Sequence, residues 1–324
     1  MKLLYTLSFS LIAINSLFGQ NVIKLSADVW PPFTDFKGNK SIATDIVSTA
    51  FDRIKTGYQF HITDFHSVLK DLESKTIDGS PAFWKTEERE KTMFYSLPYL
   101  QNQLILIGRK GTQVNFTSMI EMKGKKLGLV KDYGYGDSIV HSEDVEIIFN
   151  NNDQENLEAL LSNKIDYMLV DKILIQYLFQ YQMNDVSEFL SIAKNPFIIK
   201  SLYLAIRKDY PNAESIVKQF DKQIDTMIAD GSYNRILNMN WIHADMDGDG
   251  EKEYILNGKF AGNKKPDDYA YEVFLEKKKK SESNRYFING TYYEGWDKVP
   301  SKYKKLPETQ TIQDPKNSSL KFNF

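Results

Sequence analysis

A repeated order of strand, loop and amphipathic helix, running from residue 22 to residue 241, limits most what this chain can fold into. NVIKLSADVWPPF alternates apolar Val22, Leu25, Ala27 and Val29 ahead of Pro31 and Pro32, the pattern of a strand that ends in a loop. IATDIVSTAFDRI then carries Ile42, Ile46, Val47, Ala50, Phe51 and Ile54 at helical spacing. The order recurs: FHSVLKDLESKTIDG predicts a helix ended near Gly79, QNQLILIGRKG and KKLGLV predict strands, NLEALLSNKI a helix and DYMLV a buried strand. After Pro211 a longer helix presents Ile216, Val217, Phe220, Ile224, Met227 and Ile228 on one face, with Gly231 as its stop. Such alternation builds α/β units around parallel strands. Ligands in these folds sit outside the carboxyl ends of the strands. Trp30, Asp171 and the loop before Arg89 all fall at such ends.

Beyond Trp241 the character changes. In YAYEVFLEKKKKSESNRYFINGTYYEGW, Tyr271, Val273 and Leu275 alternate, and Asn289-Gly290 is a strong hairpin signal. Residues 241–324 are therefore expected to form a small antiparallel β module, with Lys277 to Lys280 as a solvated hairpin tip.

Several functions are disfavoured by composition. Forty-one basic and 43 acidic residues give a formal charge of -2, with no strongly basic half that would suggest a nucleic-acid partner. The chain has no cysteine, which removes disulfides, thiol nucleophiles, thiolate metal sites and the cysteine of a lipid anchor. Lys2 followed by the apolar run Leu3 to Phe18 reads as a secretory signal peptide over residues 1–19, cleaved near Gly19. A soluble exported protein without an anchor is retained only if a second membrane encloses the compartment, so the periplasm is expected, with release to the medium as the alternative. An enzyme finds little support, because no metalloprotease helix motif, Gly-rich phosphate loop or nucleophile elbow is present.

Five segments occur in a telling order: DVWPPF, TEEREKTMFYSLPY, KGKKLGLVKDYGYG, NKIDYMLVD and ADGSYNRILNMNW. Their order over residues 22 to 241 resembles the bacterial family 3 solute-binding proteins, the periplasmic receptors of amino-acid ABC transporters. The resemblance implies a two-lobed, type II periplasmic-binding clamp with two parallel-rich sheets. Residues 21–111 plus 200–240 would form the first lobe and residues 112–199 the second, with crossovers near QLILIGRKG and SLYLAIRKD. It implies a monomer that captures a small amino-acid-like solute by hinge closure and hands it to an inner-membrane ABC permease. A clamp that signals to a membrane receptor is the alternative, since the same fold serves both.

The resemblance also implies roles for single residues. Arg89 matches the family arginine that grips the ligand carboxylate, and a guanidinium presents a planar fork suited to two carboxylate oxygens. A surface arginine paired with Glu87, Glu88 or Glu90 is the other reading. Asp171 matches the aspartate that takes the ligand ammonium, and it could equally cap the helix that follows. Trp30 matches the aromatic that stacks on the ligand. Phe83 and Trp84 stand where the family has small or hydroxyl residues, and Tyr133 and Gly134 replace a threonine pair; Trp84 and Tyr133 are taken as ligand-binding candidates, while Phe83 and Trp84 could also be core.

A second motif lies in the tail. ADMDGDGEKE places Asp245, Asp247, Asp249, Glu251 and Glu253 at positions 1, 3, 5, 7 and 9 of a loop with Gly250 at its sharp turn, hard oxygen donors at a spacing suited to Ca2+. Leu256 stands where a helix-loop-helix calcium hand has its glutamate, so a structural calcium loop between strands is expected. A metal-free Asp-Gly turn is the alternative.

Overall fold

The computed structural model describes residues 22–36, 38–39, 41–175, 186–238, 241–246, 249–256, 265–266, 270–273 and 284–304. The expected signal peptide, Asp247 and the Lys277 to Lys280 tip lie outside these residues. Among the described residues no helix is long and apolar enough to cross a membrane.

Apolar Ile23, Leu25 and Ala27 are buried along β1 (Ile23–Asp28), which pairs in parallel with β2 (Tyr58–Thr63) and β3 (Gly79–Trp84). The short β4 (Met93–Tyr95) leads into β5 (Leu100–Arg109), a strand long enough to leave this first set and reach a second one. There β6 (Lys126–Val130) runs parallel to β7 (Glu146–Asn150) and β8 (Tyr167–Asp171). Then β9 (Leu190–Ile192) precedes β10 (Ile198–Arg207), which returns to the first set. The resulting strand order is β2-β1-β3-β10-β5-β8-β6-β7, so the two parallel lobes share one curled sheet through the antiparallel crossovers β5 and β10. This is the expected two-lobed α/β clamp.

Helices Ile42–Arg53 and Ala213–Ala229 cover the first lobe with the apolar faces foreseen from spacing, and Phe51 meets Phe220 edge-on at 6.3 Å. Each such buried side chain contributes about 1.5–3 kcal/mol. One boundary differs. The helix Phe65–Glu73 stops before Gly79, where Lys75 turns left-handed at φ 63°, and Gly79 instead opens β3. A Cβ there would lie 2.1 Å from the Ala205 carbonyl oxygen, so this glycine serves close strand packing, not helix termination.

The tail is a second sheet, β11 (Ile242–Ala244), β12 (Glu253–Leu256), β13 (Tyr271–Glu272), β14 (Arg285–Ile288) and β15 (Thr291–Glu294), in the order β13-β11-β12-β14-β15. Asn289 and Gly290, both at positive φ, make the expected hairpin turn between β14 and β15. The sheet is mixed, since β11 and β13 pair in parallel, as do β12 and β14. Long connections before β13 and β14 let the chain return in the same direction, which strand alternation alone does not reveal. Trp241, Tyr254, Leu256, Tyr286, Ile288 and Val299 form its own small core.

Candidate functional site

Strand ends and one loop build the cleft, and local hydrogen bonds aim each side chain. After β1, the Trp30 N–H donates to Thr34 O (2.8 Å) and Thr34 Oγ1 donates to Asp28 O (2.7 Å), which turns the buried Trp30 ring onto Phe33 at 4.4 Å. At the end of β3, Thr86 caps the short helix Glu87–Glu90 by accepting the Arg89 N–H (3.3 Å). That turn sends Arg89 back toward the sheet. Its guanidinium donates to Trp84 O (3.1 Å) and, across the cleft, to Asp132 O (2.9 Å), and it lies over Phe83 at 4.4 Å and Phe65 at 5.3 Å. Glu90 pairs with Lys85 instead (2.5 Å).

The second lobe answers through the loop after β6, where Asp132 sits at φ 64°. Tyr133 donates its phenol proton to Asp28 Oδ2, and His66 Nδ1 lies 3.2 Å from Asp132 Oδ2. Tyr133 meets Trp30, Trp84 and Phe65 at 5.8, 5.3 and 4.9 Å, each edge to face, the arrangement that ring quadrupoles favour. Trp84 and Phe83 are both buried, at 5% and 1% exposure, so Trp84 is at once core and cleft wall.

The cavity between these groups is lined by Asp28, Trp30, Trp84, Arg89, Tyr133 and Gly134, with Phe65, Ala82 and Leu202 behind them. Its volume is about 10 Å3, room for about one water. Four of the five expected ligand residues therefore share one cavity. Asp171 does not line it. Its Oδ1 accepts the Ile173 N–H (2.6 Å) and its Oδ2 accepts from Asn102 Nδ2 (3.1 Å), while Asn102 Oδ1 accepts the Trp84 indole N–H (2.8 Å). Asp171 thus caps the following turn and supports Trp84 from behind.

Asp28, Asp153 and Asp171 make the interior acidic, with 8%, 9% and 1% exposure. Burial pushes Asp28 up to about 6, against the hydrogen bond from Tyr133. Burial raises Asp171 to about 7, against hydrogen bonds from Ile173 and Asn102. Asp153 rises furthest, to about 8, because burial is joined by repulsion from Asp28 and Asp171. Burial likewise lowers the pKa of Arg89 from its ordinary value. Sequence reasoning missed Asp28, Asp153 and Asn102. The strand-end rule that selected Trp30 applies equally to Asp28, and Asn102 is a polar residue inside an apolar strand; Asp153 follows the helix cap Asn152 and is buried only by tertiary packing.

In the tail, Asp245 Oδ2 accepts the Gly250 N–H (2.9 Å), Asp249 Oδ1 the Glu251 N–H (2.8 Å) and Glu253 Oε2 the Met246 N–H (3.1 Å). Arg285 reaches this turn from β14. It lies 3.0 Å from Asp249 and 3.9 Å from Glu251, and it pairs with the fully buried Glu253. Positive charge for Asp249, Glu251 and Glu253 is thus supplied from within the chain, and Asp247 lies outside the described residues.

Comparisons with known proteins fit this geometry. The family of bacterial extracellular solute-binding proteins, family 3, matches residues 23–243. The putative ABC transporter arginine-binding protein 2 of Escherichia coli K12 is 22% identical over 215 residues, covering 64% of this chain and 86% of that protein. An ancestral arginine-binding protein bound to arginine superposes with a TM-score of 0.56 at 22% identity, covering 67% of this chain and 96% of the other. A histidine kinase sensor domain with similarity to periplasmic binding proteins gives 0.58 at 15% identity, covering 68% and 95%.

Proposed function

Because this chain belongs to the bacterial extracellular solute-binding proteins, family 3, we propose that it works in the periplasm as a monomer that captures a small amino-acid-like solute between its lobes and delivers it to an ABC permease. The observation that carries this reading is one cavity wall holding a guanidinium, Arg89, and a carboxylate, Asp28, inside a box of Trp30, Trp84 and Tyr133. That wall complements a zwitterion: the fork suits a carboxylate, Asp28 suits an ammonium, and the rings suit the carbon between them. Members of this family are binding proteins, and solute binding without turnover is the activity expected of this chain.

A cavity of about 10 Å3 is far smaller than the roughly 300 Å3 at the low end of ligand pockets. Capture therefore requires the lobes to part, exchanging Arg89–Asp132 and Tyr133–Asp28 for contacts with the solute. Each contact made to a ligand then replaces one already made within the protein, which favours a ligand with both charges over one with neither. The likeness to a histidine kinase sensor domain supports a second reading, in which closure is read by a membrane receptor.

Calorimetry and thermal melting of the mature protein against the twenty amino acids and L-cystine test the proposal. Binding of a zwitterionic solute recovered unchanged supports it, while no response across the panel, or consumption of a component, refutes it. Uptake of the bound solute by cells with and without the gene then separates delivery from signalling. For the tail we propose that calcium competes with Arg285 for Asp249 and Glu253.

A further inference from the structure

The C-terminal module shares the clamp's hydrophobic core through Ile242, Ala244, Ile255, Val273 and Phe287, and at the hinge it adds the phenol of Tyr271. Tyr271 of β13 is buried, and its Oη both accepts the Gln101 N–H (2.9 Å) and donates to Gln101 O (2.9 Å). Gln101 belongs to β5, in the stretch where the two crossover strands pair with each other and Gln101 faces Ser201. Pairing of β5 with β8 begins three residues later, at Leu104 and Asp171.

In an extended strand the main-chain groups of alternate residues point to the same edge. Gln101 and Gln103 share that edge. The first is held by Tyr271, and the second directly precedes Leu104, the residue that pairs with Asp171 across β5 and β8. Between them Asn102 bonds Asp171 and Trp84. The module holds the phenol in place from its own side, since the Tyr271 N–H donates to Trp241 O (3.0 Å) and the Val273 N–H to His243 O (3.0 Å).

We propose that the C-terminal module braces the hinge: Tyr271 fixes the edge of the crossover strand at Gln101 and thereby sets Asn102 against Asp171 behind the cleft wall. Tyr271 is then a positioning residue for a cavity it does not line. Among the described module residues, the Tyr271 phenol is then the polar link between module packing and cleft geometry. The consequence for solute capture rests on the function proposed above; the brace itself does not.

The test uses the full chain and begins without any solute. Tyr271→Phe keeps the ring and removes only the hydroxyl. It should speed amide exchange at Gln101 about tenfold or more, as expected for a buried N–H that has lost its bonded partner, and shift the Trp84 indole N–H resonance. Val273→Ala loosens the module while leaving the phenol, and it should change the exchange rate by less than about twofold and leave the resonance in place. Equal effects of the two variants would mean that general packing, not the phenol, holds the hinge, and would overturn the proposal. No change at Gln101 or Trp84 in Tyr271→Phe would also overturn it. With L-arginine as the probe, Tyr271→Phe should bind at least about threefold more weakly than wild type, through the reciprocity of coupled equilibria; an unchanged affinity refutes the positioning role. Failure of wild type to bind any amino acid would count against the proposed function, and the exchange and resonance arms would still decide the brace.

Discussion

Arg89 commits its guanidinium to main-chain carbonyls of both lobes, Trp84 O and Asp132 O, and leaves the neighbouring glutamates aside. A solute carboxylate entering the cleft offers the same fork a better, charged partner. Removing one partner of a desolvated charge pair costs about 3–5 kcal/mol, or roughly a hundredfold to several-thousandfold in affinity. Arg89→Ala is therefore expected to abolish measurable capture in calorimetry. Asp28→Asn should weaken it more than Asp171→Asn does, because Asp28 lines the cavity and Asp171 stands behind it. The reverse order would return the ammonium to Asp171. Gly134 provides a separate check of closure, since a Cβ there would lie 2.9 Å from Thr86 Cγ2 in the opposite lobe. Gly134→Ala should hold the lobes apart, raise the radius of gyration in small-angle scattering and weaken solute binding; an unchanged radius and affinity would mean the two loops do not need this approach. Trp30 and the loop before Arg89 were legible because they follow strand ends, whereas Arg89, Trp84 and Tyr133 themselves were reached through the family motif positions. The capping role of Asp171 was legible, but that Asp28 rather than Asp171 reaches the cavity was not, since only packing decides which of two strand ends, one in each lobe, lines the opening.

Elements follow the same division between local and long-range information. The helix Ile42–Arg53 and the hairpin at Asn289-Gly290 are written in short-range spacing and turn chemistry, and both appear where expected. The parallel pairing of β12 with β14 is set by how the chain returns after a long connection, and no local signal encodes it. The acidic turn before β12 shows a further limit: its donor spacing suits calcium, yet Arg285, far along the chain, arrives on β14 to pair with Asp249 and Glu253. Spacing reveals donors and not the cation that reaches them. Calcium and Arg285 should then compete for one set of oxygens. Melting in calcium against chelator should give a small rise in wild type and a larger one in Arg285→Gln, which vacates the position while keeping much of its size. A change that is equal in both, or absent in both, would remove calcium from this turn.

For the whole molecule, the acidic interior ties stability and capture to pH. Asp28, Asp171 and Asp153 have folded values raised to about 6, 7 and 8. Groups with raised folded values contribute stability that is fully present below the ordinary carboxyl range and is lost as pH rises through the folded values. The unfolding midpoint should therefore fall as pH rises from about 5 to about 8.5, with all three carboxyls adding to the loss, and Asp153→Asn should flatten that fall the most. A solute ammonium reverses the balance, because a cation beside Asp28 favours its ionised form and returns its pKa toward the ordinary carboxyl range. Near pH 6, where Asp28 of the free protein is about half protonated, binding should release up to about half a proton, and affinity should rise as pH increases from about 5 to about 7. Calorimetry at that pH in two buffers of different ionisation enthalpy measures the release directly. Proton uptake, or affinity that falls with rising pH, would mean that the solute brings no cation to Asp28 and that the carboxylate of the cavity wall serves closure through Tyr133 alone.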